Sequence, residues 1–310
     1  MFLFIFFIGC SSVSNVKDAT VNAAKTTVDY TTKLIPYMAG PDDGMVRKVA
    51  VIPFENETVF KQLSLEKVFQ NTIVQYFSES CSGIHLLFPE TPGFPEPLKG
   101  IQSQSSAAYD NLMLVQTGRQ SGLNAVLTGK IVNLSLSKKD EGILWFRETK
   151  EQLRIQCYLK IIDMETGAKI FDDQFVHEID NIEPEEIQAF KDGQPAIFAS
   201  IAKDIEKLAK NMAQKMCTAV LAQPWTGYIA SVVNERAFLP FGKSSGIKES
   251  TILDSYDTGE VVQNNAGEQF LLPGKKNGKI KVSQVEEDFS VGEIISGENI
   301  RAGNPVKLSK

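Results

Sequence analysis

Hydrophobic and polar positions follow clear periods along the first two thirds of the chain. Residues 48–54 (KVAVIPF) form an apolar run of strand length that ends at a proline, which predicts a buried strand. Apolar residues between 65 and 77 recur every three or four positions, which places them on one face of a helix. A second short strand is predicted over 84–88, and helices are predicted over 106–120 and 197–220.

Three further segments of this part have patterns typical of strands. Residues 124–131 (NAVLTGKI) predict a strand, and residues 153–161 alternate apolar with polar side chains, as a half-buried antiparallel strand does. The turn sequence at 163–167 (DMETG), in which Gly167 supplies a positive φ, leads into a strand over 168–179. Prolines in the segment 89–97 predict a surface loop, because proline lacks an amide proton and fixes φ.

The pattern changes after Pro224. Residues 225–310 have no helical period, and glycine recurs through them. Short strands separated by turns predict a small all-β barrel, with 278–285 and 300–308 as its clearest pieces. We therefore predict an α+β protein with a domain junction near 223–224.

The N-terminus indicates export. Residues 1–8 are entirely apolar, but they are too few to span a bilayer, which takes about 20 helical residues. Residues 7–10 (FIGC) resemble the bacterial lipobox, in which the signal peptide is removed before the cysteine and that cysteine carries the lipid. The resemblance implies a signal peptide over 1–9 and lipidation of Cys10, and Ser11 after it implies the outer membrane. The polar segment 10–45 is predicted to be a tether.

Composition and charge exclude several classes of function. The chain has 310 residues, of which 43% are hydrophobic, so it suffices for one large or two ordinary domains. Its net charge of −6 does not attract phosphate backbones, so we expect no nucleic-acid partner. His85 and His177 lie far apart and no Cys-x-x-Cys pair occurs, so neither a metal nor a cofactor is indicated.

Cys81, Cys157 and Cys217 remain once Cys10 carries a lipid. At most one intramolecular disulfide can form among three thiols in an oxidising compartment. Because core-like sequence flanks each of them, we expect all three to be small buried apolar residues.

Two motifs that would indicate an enzyme are incomplete. Residues 242–246 (GKSSG) fit a nucleophile elbow, but that chemistry needs a histidine base, normally after the serine, and the last histidine is His177. Residues 237–244 fit a loosened phosphate-binding loop, although Pro240 lacks the amide that such a loop uses. A glycine-rich turn accounts for both motifs. We interpret the acidic runs at 180–186 and 286–288 as solvated loops, and we expect no catalytic residues.

The first domain, predicted over 46–222, resembles a family that includes the TolB N-terminal domain, the penicillin-binding-protein activator LpoB and the core of the curli secretion lipoprotein CsgG. The similar segments are residues 49–56 (VAVIPFEN), 124–131 (NAVLTGKI) and 159–167 (LKIIDMETG). The resemblance implies an α/β sandwich.

The second domain, predicted over 225–310, resembles the C-terminal domain of flagellar assembly protein T, which implies an SH3-like barrel. The similar segments are residues 225–229 (WTGYI), 245–248 (SGIK), 278–282 (GKIKV), and Ser290 with 300–303 (IRAG). Trp225 occupies the position of the family tryptophan. We expect its ring to plug one end of the barrel, with anchoring of a partner as the alternative.

These observations predict a lipoprotein anchored at the periplasmic face of the outer membrane, with a non-catalytic assembly role. Its expected partners are envelope proteins, by resemblance those of a flagellar basal-body ring, and a homo-oligomer is left open. One alternative is a curli-type secretion component, in which 131–137 and 143–151 would form a membrane hairpin that charged residues keep short. The other is an LpoB-like activator of a peptidoglycan synthase.

Overall fold

A computed structural model describes residues 43–61, 64–99, 111–142, 145, 148–180, 182–194, 198–265 and 267–309. The helices, in chain order, are α1 (Leu65–Ser80), α2 (Glu96–Lys99), α3 (Asn111–Gln120), α4 (Pro184–Lys191) and α5 (Phe198–Leu221). The strands before α5 are β1 (Arg47–Val51), β2 (Glu55–Asn56), β3 (Ile84–Leu87), β4 (Ala125–Glu141), β5 (Glu148–Asp163) and β6 (Lys169–Ile179).

These six strands form one mixed sheet with the order β3-β1-β4-β5-β6, and β2 pairs with β4. β1 is parallel to β3 and β4, whereas β4, β5 and β6 are antiparallel. Helices α1 and α5 cover one face with a large apolar core, and α2 and α3 cover part of the other face with a smaller core. The predicted α/β architecture is therefore present.

The β4–β5 hairpin is longer than its apolar pattern predicts. Its strands pair from Ala125↔Asp163 to Glu141↔Glu148, so the prediction of short hairpin strands was wrong. β6 pairs with β5 only as far as Leu153. Beyond that residue, the last pairs between β4 and β5 form a two-stranded stem. Most described side chains of this stem are at least partly exposed, and a strand pair that meets water needs no apolar stripe, so charged residues extend the strands there instead of ending them.

Two prolines belong to helices that the sequence analysis interpreted as loops. Pro184 is the first residue of α4, and Glu183 and Glu186 form a capping box around that helix start. Pro97 lies in the first turn of α2, where the missing amide proton costs nothing. The loop interpretations of 180–186 and 89–97 were therefore wrong at their C-terminal ends.

The cysteines are not all isolated core residues. Cys81 and Cys217 form a disulfide with Cα atoms 5.7 Å apart, which joins the C-terminal ends of α1 and α5. The expectation of three buried thiols is wrong for this pair, because the two helices pack side by side and bring their ends together. Cys157 is a free thiol in the core, and burial raises its pKa to about 12.

The strands after α5 are β7 (Gly227–Tyr228), β8 (Ser231–Val233), β9 (Arg236–Leu239), β10 (Ile252–Tyr256), β11 (Val261–Gln263), β12 (Gln269–Leu271), β13 (Lys276–Val285), β14 (Ser290–Gly297) and β15 (Pro305–Leu308). Seven of them form a curled antiparallel sheet in the order β7-β15-β10-β13-β14-β9-β8, which we call the C-terminal sheet. β7 and β8, at its two edges, are consecutive along the chain, so residues 227–233 link one edge to the other. β11 and β12 pair as a separate hairpin.

Candidate functional site

Trp225, the predicted anchor, lies in the core of the C-terminal sheet. Its exposed fraction is 4%, and its ring meets the edge of Phe241 at 87° with the centroids 4.9 Å apart. Gly227 allows this approach, because a Cβ atom there would lie 2.4 Å from the Phe241 ring. The structure therefore places Trp225 away from the surface, among the side chains that hold the C-terminal sheet together.

The segment before β1 contacts the same core. Met45 was assigned to the tether, but its side chain is buried with Trp225 and Ile229 in the apolar cluster of the C-terminal sheet. The amide of Val46 donates a hydrogen bond of 3.0 Å to the Ser245 carbonyl. The chain is therefore held by the C-terminal sheet before it enters the α/β part.

A buried arginine, Arg47, holds the chain in place where it enters β1. The Arg47 guanidinium lies 2.8 Å from the Asp43 carboxylate and donates to the carbonyls of Met45 at 2.9 Å and Gln223 at 3.0 Å. Both side chains of the ion pair are largely buried. One guanidinium thus connects the segment before β1 with the segment that follows α5.

A chain of polar contacts crosses the junction between the α/β part and the C-terminal sheet. The Asn124 side chain accepts from the Lys48 amide at 2.9 Å and donates to the Thr226 carbonyl at 2.7 Å. Glu165 accepts from the Thr226 hydroxyl at 3.0 Å and pairs with Lys307 at 2.7 Å. The two parts are therefore joined by specific hydrogen bonds as well as by apolar contact.

Tyr228 and Arg119 form the centre of this junction. Tyr228 is 2% exposed, and burial raises the pKa of its hydroxyl well above the ordinary value. The Arg119 guanidinium lies 5.6 Å from the centroid of the Tyr228 ring and donates to the Met164 carbonyl at 3.2 Å. A cation over an aromatic face away from water stabilises both groups.

Asp163 is a second buried ionisable group at the junction. Burial raises the pKa of its carboxyl, while hydrogen bonds from the Thr166 amide (2.8 Å) and hydroxyl (2.7 Å) partly oppose the rise. These bonds form the turn between β5 and β6, and Gly167 has the positive φ of 79° that the sequence predicted. A cavity lined by Arg47, Asn124 and Asp163 among others has a volume of about 10 Å³, which suits about one water molecule.

In the segment shared by the two enzyme-like motifs, backbone amides already donate hydrogen bonds to carbonyls elsewhere in the chain. Residues 243–245 form a short 3-10 helix in which the amides of Lys243 and Ser244 donate to the carbonyls of Glu286 and Glu287, each at 2.9 Å. These amides are not available to a phosphate. Ser244, the serine of the nucleophile-elbow motif, is exposed, and its hydroxyl donates to the Asp288 carboxylate at 3.0 Å. The geometry agrees with a turn in the C-terminal sheet.

Cys10, the predicted lipidation site, lies outside the described residues. Among the residues that the structure describes, no three acidic, histidine or cysteine side chains are grouped as metal ligands. No helix in the same residues has the length and apolar character to cross a membrane.

The sequence analysis did not identify the junction residues Arg47, Asn124 and Arg119, or Trp145. Trp145 is 93% exposed in the turn after β4. The sequence signal for Trp145 is an apolar run, 142–146, between charged residues. No comparable signal distinguishes Arg47, because a single arginine before a strand is ordinary.

No protein-family model and no curated protein matches the chain. Solved structures similar to it include lipoprotein GNA1162 from Neisseria meningitidis, with 16% identity over 51% of this chain and 99% of that chain, at a TM-score of 0.30. TolB from Acinetobacter baumannii has 11% identity over 82% of this chain and 58% of that chain, at a TM-score of 0.28. The hypothetical protein CT253 from Chlamydia trachomatis has 10% identity over 57% of this chain and 99% of that chain, at 0.37. The similar structures therefore include bacterial lipoproteins and TolB, at scores too low to assign a function.

Proposed function

We propose that this protein is an exported, lipid-anchored protein of the bacterial envelope that binds other envelope proteins without catalysing a reaction. The observation that carries the proposal is the Cys81–Cys217 disulfide, because disulfides persist in the periplasm and are rare in the cytosol. It supports the export that residues 7–10 indicate. Cys10 would then carry the lipid.

The junction supports a scaffold role. Arg47, Asn124, Glu165 and Arg119 direct their polar groups inward, toward contacts between the α/β part and the C-terminal sheet. Such contacts hold the α/β part and the C-terminal sheet in a fixed relation, as a scaffold requires, and protein binding requires no catalytic residues. The whole described chain then acts as one adaptor.

The finer proposal is an outer-membrane protein of the periplasmic face in a flagellar basal-body ring. It rests on the resemblance of the C-terminal segment to flagellar assembly protein T. A curli-type secretion component is the second candidate, and the β4–β5 hairpin is the described element that such a role would use. An LpoB-like activator of a peptidoglycan synthase is the third, and no contact in the described residues favours it over the others.

Labelling with palmitate and membrane fractionation test the anchor. The wild-type protein should incorporate label and sediment with outer membranes on a density gradient, whereas Cys10→Ser should be unlabelled and soluble in the periplasm. An alkylation assay without reductant should find Cys81 and Cys217 unreactive in cells. An unlabelled wild-type protein, or reduced cysteines in the cell, would contradict the proposal.

A deletion strain separates the finer functions. Loss of swimming with intact filament subunits would select the flagellar role, loss of surface curli fibres the secretion role, and sensitivity to cell-wall antibiotics the synthase role. Complementation with the wild-type gene is the control. Normal behaviour in all three assays would remove all three finer proposals.

A further inference from the structure

The outer face of the C-terminal sheet carries an exposed aromatic pair. Phe238 on β9 stacks on Phe289, with the ring centroids 5.2 Å apart and 22° between the planes, and both rings are more than a third exposed. Ala237 and Leu239 lie in the core of the sheet, so Phe238 between them faces outward. Val291 on β14 lies directly opposite Phe238 and therefore shares its face.

A row of charges crosses the same face beside the aromatic pair. Strand pairing places Arg236 on β9 opposite Glu293 on β14, and Glu293 opposite Lys281 on β13. Val233 on β8 and Ile252 on β10 end the row, with exposed fractions of 63% and 40%. Arg236 and Glu293 are exposed, and neither forms an ion pair with another described residue. Both charges are therefore available to a partner.

We propose that this face binds the same face of a second copy of the chain. The twofold axis of this dimer runs between β9 and β14 and parallel to them, so that it exchanges the two strands but keeps the position along them. Arg236 of each copy then lies over Glu293 of the other. Phe238 of each copy lies over Val291 of the other, so an aromatic ring meets an apolar side chain.

The charge pattern favours a second copy over an unrelated partner. An arginine beside a glutamate attracts neither an acidic nor a basic surface, whereas a twofold copy pairs both charges at once. Lys281, one strand further out, lies over Val233 of the copy and keeps its ammonium in water at the margin. Because desolvation offsets much of the attraction between buried charges, the apolar residues supply the affinity and the charges fix the orientation.

The size of the face predicts a weak dimer. Four strands with three outward positions each cover roughly 20 Å by 20 Å, so each copy would bury about 400 Å². A standard stable interface buries about 800 Å² per partner. The dimer should therefore form only at high local concentration. In the cell, the proposed lipid anchor would provide that concentration by holding the copies in one membrane, and only this step rests on the proposed function.

Sedimentation velocity of the full mature chain with Cys10→Ser tests the contact in solution. We expect the average mass to rise from monomer to dimer between micromolar and millimolar protein, and to stop there. Arg236→Glu alone, or Glu293→Arg alone, should weaken the dimer at least about tenfold, because each places like charges opposite each other at two points. Lys210→Glu is the matched control, since it reverses an exposed charge on α5, and it should dimerise as the parent does.

Restored association distinguishes the contact from a loss of folding. The chain with both Arg236→Glu and Glu293→Arg should dimerise as the parent does, because the charge pair is reversed at both points. An equimolar mixture of the two single variants should also dimerise, because each introduced charge then faces an opposite charge. Phe238→Ala should weaken the dimer at least about tenfold, with an unchanged circular-dichroism spectrum.

A monomer at every concentration would overturn the inference, and so would single variants that associate as the parent does. If neither the double variant nor the mixture associates, the two charges do not face each other across a twofold axis, and the arrangement is wrong. A mass that grows beyond the dimer would indicate an open chain of copies and would also overturn the closed pair. Because the assay uses Cys10→Ser, dimerisation can succeed where acylation of Cys10 fails.

Discussion

The Arg47 guanidinium lies 2.8 Å from the Asp43 carboxylate, with side-chain exposures of 4% and 10%. Arg47 also donates to the Gln223 carbonyl at 3.0 Å. The chain thus enters its folded part through a buried ion pair that also holds the end of α5. Removing one partner of a buried pair leaves the other charge without compensation, which is far more costly than losing a pair at the surface.

We therefore expect Arg47→Ala to lower the free energy of unfolding by about 3–5 kcal/mol. Urea denaturation measures the change. The matched control is Lys130→Ala, which breaks the Lys130–Glu57 pair of 2.9 Å, each side chain being 35% exposed, and should cost at most about 1 kcal/mol. If both substitutions lowered the free energy of unfolding equally, the contacts of Arg47 would not be what holds the junction together.

Trp225→Ala should cost about 3–5 kcal/mol, the range for truncating a buried aromatic ring. The reason is the loss of its contact with Phe241 and of the apolar cluster that includes Met45. Thermal and urea melts of the full mature chain measure it, with Trp225→Phe as the milder control. An unchanged midpoint would contradict the structural role of Trp225 and would favour the alternative, in which its ring anchors a partner.

The isolated halves give a related prediction. The domain junction predicted near 223–224 would make residues 46–222 and 225–310 separate folding units, yet Met45 lies in the core of the C-terminal sheet. We now expect fragment 225–310 to be less stable alone than when peptide 43–48 is added. Circular-dichroism melts with and without that peptide measure the difference, and a scrambled peptide is the control. No effect of the peptide would mean that Met45 contributes little.

Counting thiols tests the cysteine assignment. In the Cys10→Ser chain, three cysteines remain, and the structure pairs Cys81 with Cys217 and buries Cys157. At pH 8 the native protein should show no reactive thiol, because the raised pKa of Cys157 keeps it protonated and out of solvent. Denaturant should reveal one thiol, and denaturant with reductant three. Cys81→Ser with Cys217→Ser should lower stability by about 2–5 kcal/mol.

The spacing of apolar residues and the residues typical of turns predicted most elements of the α/β part. The apolar stripe of α1 and the alternation in β5 arise from one-sided burial, which leaves a mark on the sequence. The stem of the β4–β5 hairpin leaves no such mark, because most of its described side chains are at least partly exposed. Helix α4 was missed because its signal is a capping box at Glu183 and Glu186, and acidic residues alone suggested a loop.

The junction could not be predicted from a single sequence. Asn124 and Thr226 are 102 positions apart, and nothing local distinguishes an asparagine that crosses a junction from one that faces water. Trp225 was identified because it occupies the position of the family tryptophan, directly after the predicted domain junction. Arg47 and Arg119 are common residues whose importance comes only from the burial that the fold imposes.

Asp163→Asn tests the electrostatics of the junction. Burial raises the pKa of Asp163 in the folded state, so the folded protein favours the protonated form of this carboxyl. The stability that this protonation contributes is fully present below the unfolded-state pKa of about 3.9. That stability is lost as the pH rises through the folded pKa. Asparagine does not titrate and keeps an oxygen that accepts from Thr166.

The melting temperature of Asp163→Asn minus that of the wild type should therefore increase as the pH rises above about 4, and it should level off once the pH has passed the folded-state pKa of Asp163. Differential scanning calorimetry across this range measures the trend, and Asp172→Asn on the exposed side of β6 controls for the loss of a carboxylate. A difference that falls with rising pH would mean that hydrogen bonds from Thr166 outweigh burial and lower the pKa of Asp163. The turn between β5 and β6 would then hold a stabilised carboxylate, and the junction would tolerate negative charge beside Tyr228.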